Sequence, residues 1–192
     1  MKTRESGMPS EEMWQAFFSP SETLLALGLQ KDMSDVTEFG CGYGTFTIPA
    51  AQIIRGTLHA FDIEADMIES TRGKAKQHDL SNVRLYQRDF VLNGTGLLDA
   101  SVDYVMLFNI LHAEAPDLLL AEAFRILHDD GTLGIMHWNY DPMTPRGPSM
   151  DIRPKPEQCA ALAENTGFVI VQPLVDLPPY HYGIIAKKGQ SK

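Results

Sequence analysis

The stretch Glu38-Phe39-Gly40-Cys41-Gly42-Tyr43-Gly44 has three glycines at alternate positions and follows an apolar run that begins at Val36. Glycine adopts positive φ and has no Cβ, so such a stretch lets the backbone approach a ligand closely. A strand that ends at Phe39 and a helix over Thr45 to Ile54 would make it a strand-to-helix turn. The sequence therefore predicts a ligand-binding turn, and a tight glycine-rich connection without a ligand is the alternative.

The spacing of these glycines discriminates between ligands. The dinucleotide fingerprint G-x-G-x-x-G would need its third glycine at position 45, where the chain has Thr45. A P-loop would need Gly-Lys-Ser or Gly-Lys-Thr, and the chain contains neither. Pyrophosphate binding is therefore poorly supported.

Strand-like and helix-like segments alternate along the chain. Further strands are predicted at 57–62, 83–87, 102–109, 132–137, 168–175 and 182–186, and helices at 65–78, 118–127 and 156–166. Asp129-Asp130-Gly131 is predicted to be a turn before the fifth strand, and the proline-rich residues 138–156 a long loop. The alternation predicts an α/β fold with a mostly parallel sheet, helices on both faces, and a ligand at the carboxyl ends of the strands.

The composition is typical of a soluble protein. Since no linker divides the chain, we expect a single domain over residues 1–192. The net charge of -9 argues against a bulk nucleic-acid substrate. No apolar run approaches the roughly 18 residues that span a bilayer, so membrane insertion is not expected. Residues 1–7 lack the apolar segment of a signal peptide, so none is expected. The two cysteines, Cys41 and Cys159, do not resemble a disulfide framework or a zinc cluster. A cytoplasmic location is expected.

Five segments carry a family resemblance in the expected order. They are 36–44, 58–62, 88–90, 102–112 and 125–133. Together they resemble the class I S-adenosylmethionine-dependent methyltransferases, most closely the type 11 group that includes quinone-biosynthesis enzymes. The resemblance implies a Rossmann-like, doubly wound, seven-stranded sheet of order 3-2-1-4-5-7-6 with the last strand antiparallel. It also implies methyl transfer from S-adenosylmethionine, which leaves S-adenosylhomocysteine.

The resemblance further implies a cofactor site. Asp62 would accept both ribose hydroxyls, with a helix N-cap as the alternative. Asp89 would accept from the adenine amino group and Phe90 would pack on the ring, unless they are an ordinary loop aspartate and a core phenylalanine. The predicted cofactor residues are Glu38, Gly40, Cys41, Gly42, Gly44, Asp62, Ile63, Asp89, Phe90 and Asn109.

The acceptor side is predicted from residues that follow the fourth and fifth strands. His112 and His137 are candidate bases because imidazole titrates near neutral pH, and the working hypothesis is that His137 faces the acceptor. A surface or packing role is the alternative for each histidine. The Asn/Asp-Pro-Pro motif of amino-methylating nucleic-acid enzymes is absent at 109–112, and the similar stretch Asp176–Tyr180 is predicted to be a turn. No metal is expected, because the aspartate of a catechol-type magnesium site is missing after strand four.

Two further segments are predicted to border the acceptor. Residues 1–33 would form an N-terminal helical lid in which Trp14, Phe17 and Phe18 shield the methyl group from water, and a helix on the sheet edge is the alternative. Residues 138–156 would form a substrate-side loop. Its predicted substrate contacts are Trp138, Tyr140, Arg146 and Arg153.

Either arginine, Arg146 or Arg153, would pair with an acidic group of the substrate, and solvated charge on a rigid connection is the alternative. The chain is thus predicted to be an enzyme that methylates a small molecule by in-line displacement. A protein or RNA methyltransferase that works with a partner, and a non-catalytic S-adenosylmethionine-binding protein, stay open. The oligomeric state is open too, with a homodimer possible.

Overall fold

Strands and helices alternate through most of the chain, as the hydrophobic pattern predicted. The computed structural model describes residues 9–189. The strands are β1 (Asp35–Phe39), β2 (Thr57–Asp62), β3 (Val83–Gln87), β4 (Val102–Phe108), β5 (Leu127–Trp138), β6 (Phe168–Leu177) and β7 (His181–Lys188). The helices are α1 (Glu11–Gln15), α2 (Pro20–Ala26), α3 (Thr47–Ile53), α4 (Ala65–Gln77), α5 (Phe90–Asn93), α6 (Pro116–Ile126) and α7 (Pro156–Thr166).

The strands form one seven-stranded sheet in the order β3-β2-β1-β4-β5-β7-β6. Strands β1 to β5 pair in parallel, whereas β7 is antiparallel to both β5 and β6. The predicted order and the antiparallel last strand are confirmed. Because β1 lies between β2 and β4, the order reverses there, and the carboxyl ends of β1 and β4 border the crevice in which such sheets bind ligands.

The core lies on both faces of the sheet, and β4 divides it. Val105 and Leu107 point toward the cluster that includes residues of α6 and α7. The alternate residues Tyr104 and Met106 belong to a second cluster with residues of α2 and α3. This alternation follows from the period of two along a strand, and it explains why β4 is apolar on both sides.

The prediction that Asp129-Asp130-Gly131 form a turn before the fifth strand was wrong, because these residues lie within β5. Strand β5 already begins at Leu127, which pairs with Val102, and the next pair along β4 is Tyr104 with Thr132. The three turn residues therefore lie inside β5 as a bulge, where Asp130 has φ 65°. The other predicted turn was too long, because Asp176 and Leu177 continue β6.

The segment before β1 is built into the core. Leu24 and Leu27 are fully buried. The Tyr104 hydroxyl donates to the Leu27 carbonyl at 2.9 Å, and a Cβ at Gly134 would overlap that hydroxyl. Of the predicted lid, residues 1–8 lie outside the described residues. Within 9–189, no helix is long and apolar enough to cross a membrane.

Candidate active site

The glycine turn connects β1 to α3, as predicted. Gly40 and Gly44 have φ values of +79° and +78°, which L side chains rarely adopt. A Cβ at Gly44 would lie 3.0 Å from the Thr71 side chain, and one at Gly40 would lie 3.3 Å from Ile110 Cδ1. Glycine is therefore required both by the backbone conformation and by the close neighbours.

Hydrogen bonds to β2 and α4 hold this turn in place. The N–H groups of Gly40 and Cys41 both donate to the Phe61 carbonyl at 2.9 Å. The Thr71 hydroxyl donates to the Gly42 carbonyl at 2.9 Å. The Cys41 side chain is buried against Ala60 and Ile68, and burial raises the pKa of its thiol well above the usual range. Cys41 thus offers a ligand its backbone rather than a reactive thiolate.

Two carboxyl groups are buried where β1 and β2 end beside the turn. Glu38 is 3% exposed and Asp62 is 8% exposed. Asp62 accepts from the N–H groups of Gly42 at 2.8 Å and Glu64 at 3.0 Å. Helix α4 has Glu64 at its N-cap, so Asp62 does not cap it.

The surroundings of these two carboxyl groups disfavour their charged forms. No ion pair among residues 9–189 includes Glu38 or Asp62. Burial raises the pKa of Glu38 to about 8, against the opposing hydrogen bond from the Thr47 hydroxyl, and the charge of Asp62 raises it further. Burial also raises the pKa of Asp62. A cation bound between them would relieve this electrostatic cost.

The residues predicted to bind adenine follow β2 and β3. Ile63 is half-buried directly after Asp62. Asp89 occupies the N-cap of α5 and accepts from the Leu92 N–H at 3.0 Å. Phe90 is buried in the core, with its ring centroid 5.3 Å from that of Phe39. Asp89 and Phe90 therefore both have structural partners within the protein.

Asn109 follows β4 and has an unsatisfied side chain. Its φ is +53°, and its N–H donates to the Met136 carbonyl at 2.7 Å. Both polar atoms of its amide are buried without a hydrogen-bond partner among the described residues. Leaving such a group unsatisfied costs about 1–3 kcal/mol, so a ligand or water that pairs with it is favoured.

The two candidate histidines are in contact. His137 in β5 has no exposed surface, and its Nε2 lies 3.2 Å from His112 Nδ1. The Trp138 N–H donates to His137 Nδ1 at 3.0 Å. Burial lowers the pKa of His137 well below its usual range, so the ring is neutral. His137 therefore has no direct access to an acceptor, and the half-buried His112 is the outer member of the pair.

Aromatic rings connect the N-terminal segment to β5 and β7. We call Trp14, Phe17, Phe18, Trp138, Tyr180 and His181 the aromatic cluster. Within it, the Trp138 ring centroid lies 6.3 Å from that of Trp14, 5.3 Å from Phe17 and 4.2 Å from His181. Trp138, a predicted substrate contact, is 1% exposed and therefore covered by these neighbours.

Sequence reasoning missed Tyr180 and His181. His181 is brought to Trp138 by the antiparallel pairing of β7 with β5. Its Nε2 is buried without a hydrogen-bond partner among residues 9–189, and burial lowers the pKa of His181 to about 3. A neutral imidazole with an unsatisfied nitrogen thus lies next to the predicted lid residues. No local sequence signal marks it.

The N-terminal segment also reaches the glycine turn. The Tyr43 hydroxyl donates to the Pro9 carbonyl at 2.9 Å. Glu11 in α1 forms an ion pair with Lys74 in α4, and Lys74 also donates to the Tyr43 carbonyl. The segment therefore contacts the turn at one end and the aromatic cluster at the other, as a cover over the carboxyl ends of the strands would.

The proline-rich loop is organised around Arg153. This side chain is 7% exposed, and its guanidinium donates to the carbonyl groups of Asn139, Asp141, Arg146 and Pro148 and to the Thr144 hydroxyl. Its donors are thus engaged inside the loop. The exposed predicted residues are Arg146 and Tyr140, and Lys155 lies 4.8 Å from the Tyr140 ring centroid.

A family model described as a methyltransferase domain matches residues 30–167. The chain belongs to this methyltransferase family. The predicted class I S-adenosylmethionine-dependent methyltransferase is thereby confirmed at the level of family and fold. Comparison with curated protein sequences finds no match. Among residues 9–189, no group of three or more histidine, cysteine or acidic side chains is placed to hold a metal ion.

Solved structures of other methyltransferases share the fold. A SAM-dependent methyltransferase from Aquifex aeolicus superposes with a TM-score of 0.82 at 21% identity, covering 93% of this chain and 94% of that chain. A putative type 11 methyltransferase from Sulfolobus solfataricus gives 0.66 at 23% identity, covering 83% and 86%. Geranyl diphosphate C-methyltransferase from Streptomyces coelicolor gives 0.72 at 14% identity, covering 88% and 79%.

Proposed function

We propose that this methyltransferase transfers the methyl group of S-adenosylmethionine to a small-molecule acceptor. The observation that carries the proposal is the pair of buried carboxyl groups, Glu38 and Asp62, on either side of a glycine turn and without a cationic partner among the described residues. S-adenosylmethionine has a sulfonium, an ammonium group and a ribose diol, but no phosphate. The cationic groups and the diol of S-adenosylmethionine complement two carboxylates, whereas the anionic pyrophosphate of a dinucleotide would be repelled by them.

Each carboxyl group would bind a different part of this cofactor. The N–H groups of Gly42 and Glu64 donate to different oxygens of Asp62 and so fix its carboxylate, which would accept from the ribose hydroxyls with its remaining lone pairs. Glu38 would face the amino-acid end, where the Gly40 and Asn109 carbonyls would accept from the ammonium group. Gly42 and Gly44 keep the backbone close to the ligand. Ile63, Asp89 and Phe90 would border adenine, with Phe90 acting from within the core.

Transfer from a sulfonium needs positioning and exclusion of water more than it needs acid-base groups. Alignment of reacting groups supplies up to roughly 7–11 kcal/mol of a barrier in favourable systems. The N-terminal segment would act as the lid, since Trp14 and Phe18 contact both each other and Trp138. Phe17 lies in the same cluster. The lid would exclude water from the sulfonium during transfer.

The acceptor would bind near His112, under the lid and beside the proline-rich loop. A small molecule fits a crevice that a lid covers, and the net charge of -9 disfavours nucleic acid. The Streptomyces enzyme of the same fold, whose structure contains geranyl diphosphate, also acts on a small molecule. Arg146 and Tyr140, both exposed in the loop, would contact the acceptor from the loop side.

Isothermal titration with S-adenosylmethionine and S-adenosylhomocysteine tests the cofactor assignment. We expect Asp62→Asn to weaken binding by at least tenfold, because a hydrogen bond to a charged group contributes roughly 1.5–3 kcal/mol. The matched control is Asp35→Asn, which changes a carboxylate at the other end of β1 that pairs with His59. Cofactor binding by Asp62→Asn with unchanged affinity would refute the site.

The acceptor class is tested by fractionating a cell extract by size. We expect release of S-adenosylhomocysteine when the enzyme receives the small-molecule fraction. Release only with the macromolecular fraction would favour a protein or RNA methyltransferase. Binding of the cofactor without product from either fraction would favour a cofactor-binding protein.

A further inference from the structure

Helix α4 donates hydrogen bonds to two consecutive carbonyl groups of the glycine turn. The Thr71 hydroxyl donates to the Gly42 carbonyl at 2.9 Å, and the Lys74 ammonium group donates to the Tyr43 carbonyl. Thr71 and Lys74 are three residues apart and therefore lie on the same face of the helix. This face of α4 supports the glycine turn through its carbonyl groups.

The Lys74 ammonium group also reaches the N-terminal segment. It forms an ion pair with Glu11 in α1 and lies 5.7 Å from the centroid of the Tyr43 ring. The side chain of Lys74 is 22% exposed and that of Glu11 is 36% exposed, so solvent screens this pair less than a fully exposed one. One side chain of α4 therefore joins the glycine turn to the N-terminal segment. We call the two bonds of Lys74, to Glu11 and to the Tyr43 carbonyl, the latch.

The two ends of the N-terminal segment are held by different forces. At the end near the glycine turn, the latch acts together with the Tyr43 hydroxyl, which donates to the Pro9 carbonyl at 2.9 Å. At the other end, the contact of Trp14 with Trp138 is between aromatic rings. The charged end can therefore be weakened by substitution without removing the aromatic surface that covers the crevice.

We propose that Lys74 is a positioning residue that holds the N-terminal segment closed over the crevice before the cofactor binds. The segment must then be released whenever the cofactor enters or leaves. This inference rests on the proposed function and deepens it. Both bonds of the latch join groups of the protein itself, so they form whether or not the cofactor is bound.

The latch has a kinetic consequence in both directions. A cofactor that binds beneath the closed segment exchanges only during the fraction of time in which the segment is open. Loss of the ion pair raises this fraction in the free protein and in the complex alike. The association and dissociation rate constants should therefore rise together, while the dissociation constant changes little. A residue that stabilised only the complex would raise the dissociation rate constant alone.

Stopped-flow measurement of S-adenosylhomocysteine binding to the full chain tests this consequence. We expect Lys74→Met to raise both rate constants roughly three- to fivefold, which corresponds to roughly 0.7–1 kcal/mol. The matched control is Arg72→Met, which removes another cation of α4 that pairs with Glu69 in the same helix. This control should change neither rate constant.

Glu11→Gln removes the same ion pair from the other side. The bond from Lys74 to the Tyr43 carbonyl is kept, but the hydrogen bond from Gln15 to Glu11 within α1 is altered. A double-mutant cycle separates these effects. If Glu11 acts through Lys74, Glu11→Gln should raise both rate constants in the otherwise unmutated protein but not in Lys74→Met. Equal effects in the two backgrounds would overturn the inference.

Hydrogen exchange tests the latch without any cofactor. Helix α1 has five residues, too few to be stable on its own. Its amides, such as that of Trp14, which donates to the Ser10 carbonyl at 3.0 Å, should therefore exchange when the segment leaves the turn. We expect exchange in residues 11–15 to be roughly three- to fivefold faster in Lys74→Met and unchanged in Arg72→Met. Unchanged exchange in Lys74→Met would refute the latch.

These measurements keep the two proposals apart. If S-adenosylhomocysteine does not bind, the proposed function fails, and hydrogen exchange still decides whether the latch exists. If it binds and Lys74→Met leaves both rate constants unchanged, the cofactor site survives and the latch is refuted. A rise in the dissociation rate constant alone would also refute it, because Lys74 would then stabilise the complex rather than the closed free protein.

Discussion

The site consists of two halves that differ in charge. The donor half, formed by β1, β2 and the glycine turn, contains two buried carboxyl groups, Glu38 and Asp62. The acceptor half, formed by β4, β5, β7 and the proline-rich loop, contains the buried neutral rings of His137 and His181. Among the described residues, the buried carboxyl groups therefore lie in the donor half, and we expect the acceptor half to select its ligand by shape and hydrogen bonding.

The halves are also held together differently. Backbone hydrogen bonds and glycine conformations fix the donor half, since Gly40 and Cys41 both donate to Phe61. The acceptor half depends on side chains: Arg153 holds the loop, and the aromatic cluster joins segments that are far apart in sequence. We expect single substitutions to affect the halves separately.

The largest expected effect concerns the charge of the donor half. The pKa of Glu38 is raised from 4.5 to about 8, so the folded state keeps a proton that the unfolded state loses. The stability from this group is complete below pH 4.5 and is lost as the pH rises through 8. Between these limits the loss is up to roughly 5 kcal/mol, because each pKa unit corresponds to about 1.4 kcal/mol.

Chemical denaturation of the cofactor-free protein across this pH range measures the effect. Glu38→Gln is neutral at every pH, so its stability should fall much less between pH 5 and pH 8. Asp35→Asn, on the same strand, should keep the pH dependence of the unmutated protein. Parallel curves for Glu38→Gln and the unmutated protein would show that Glu38 is not the group responsible.

The second effect tests whether Arg153 stabilises only the acceptor half and leaves the donor half unaffected. Arg153→Met keeps most of the aliphatic volume but leaves loop carbonyl groups without donors, which should destabilise the fold by about 2–4 kcal/mol. Affinity for S-adenosylmethionine should change less than threefold, because the donor half is separate. Arg55→Met, at an exposed position just after α3, is the control and should stay within about 0.5 kcal/mol. A large loss of cofactor affinity in Arg153→Met would show that the halves are coupled.

The third effect tests the backbone of the donor half. Gly44→Ala forces alanine to φ +78° with Thr71 in contact, and should destabilise the protein by about 1–3 kcal/mol while weakening cofactor binding. Gly73→Ala, in α4 with open space around its Cβ, should instead stabilise the protein by about 0.5–1 kcal/mol. Thermal denaturation of both variants, with cofactor titration, gives the comparison. A Gly44→Ala protein with full stability would contradict the strain argument.

The smallest effect concerns the lid that spans both halves. Trp14→Ala removes the half-buried ring in contact with Trp138 and should weaken S-adenosylhomocysteine binding about fivefold, or roughly 1 kcal/mol. Met13→Ala, an exposed neighbour in α1, should leave it unchanged. Titration of both variants measures the difference. If Trp14→Ala binds S-adenosylhomocysteine as tightly as Met13→Ala does, α1 only packs on the sheet edge and is not a lid.

The donor half was predictable because its signals are local. The glycine turn follows directly on β1, and Asp62 ends a strand whose bounds, 57–62, the structure reproduces. Both features are recognisable within a few consecutive residues. The electrostatic cost of burying Glu38 was not predictable, because it depends on how far the surrounding elements exclude water.

The acceptor half was less predictable because long-range pairing creates it. His181 meets Trp138 only through the register of β5 and β7. Arg153 was predicted to bind substrate or remain in solvent, but loop closure brings four carbonyl groups to its guanidinium. The start of β5 was misplaced for the same reason, since the pairing of Leu127 with Val102 has no local signal.

The hydrogen bond between Tyr104 and Leu27 bears on which part of the chain is needed for folding. The family match covers residues 30–167, so it omits Leu27 and every residue of β6 and β7. Yet β7 inserts between β5 and β6, and Leu27 closes one face of the interior. A fragment of residues 30–167 would have β5 as an exposed edge strand, and the core residues that Leu27 covers would be exposed to water. The matched range is thus smaller than the sheet, and we expect residues 30–167 alone not to fold without β6, β7 and the segment before β1.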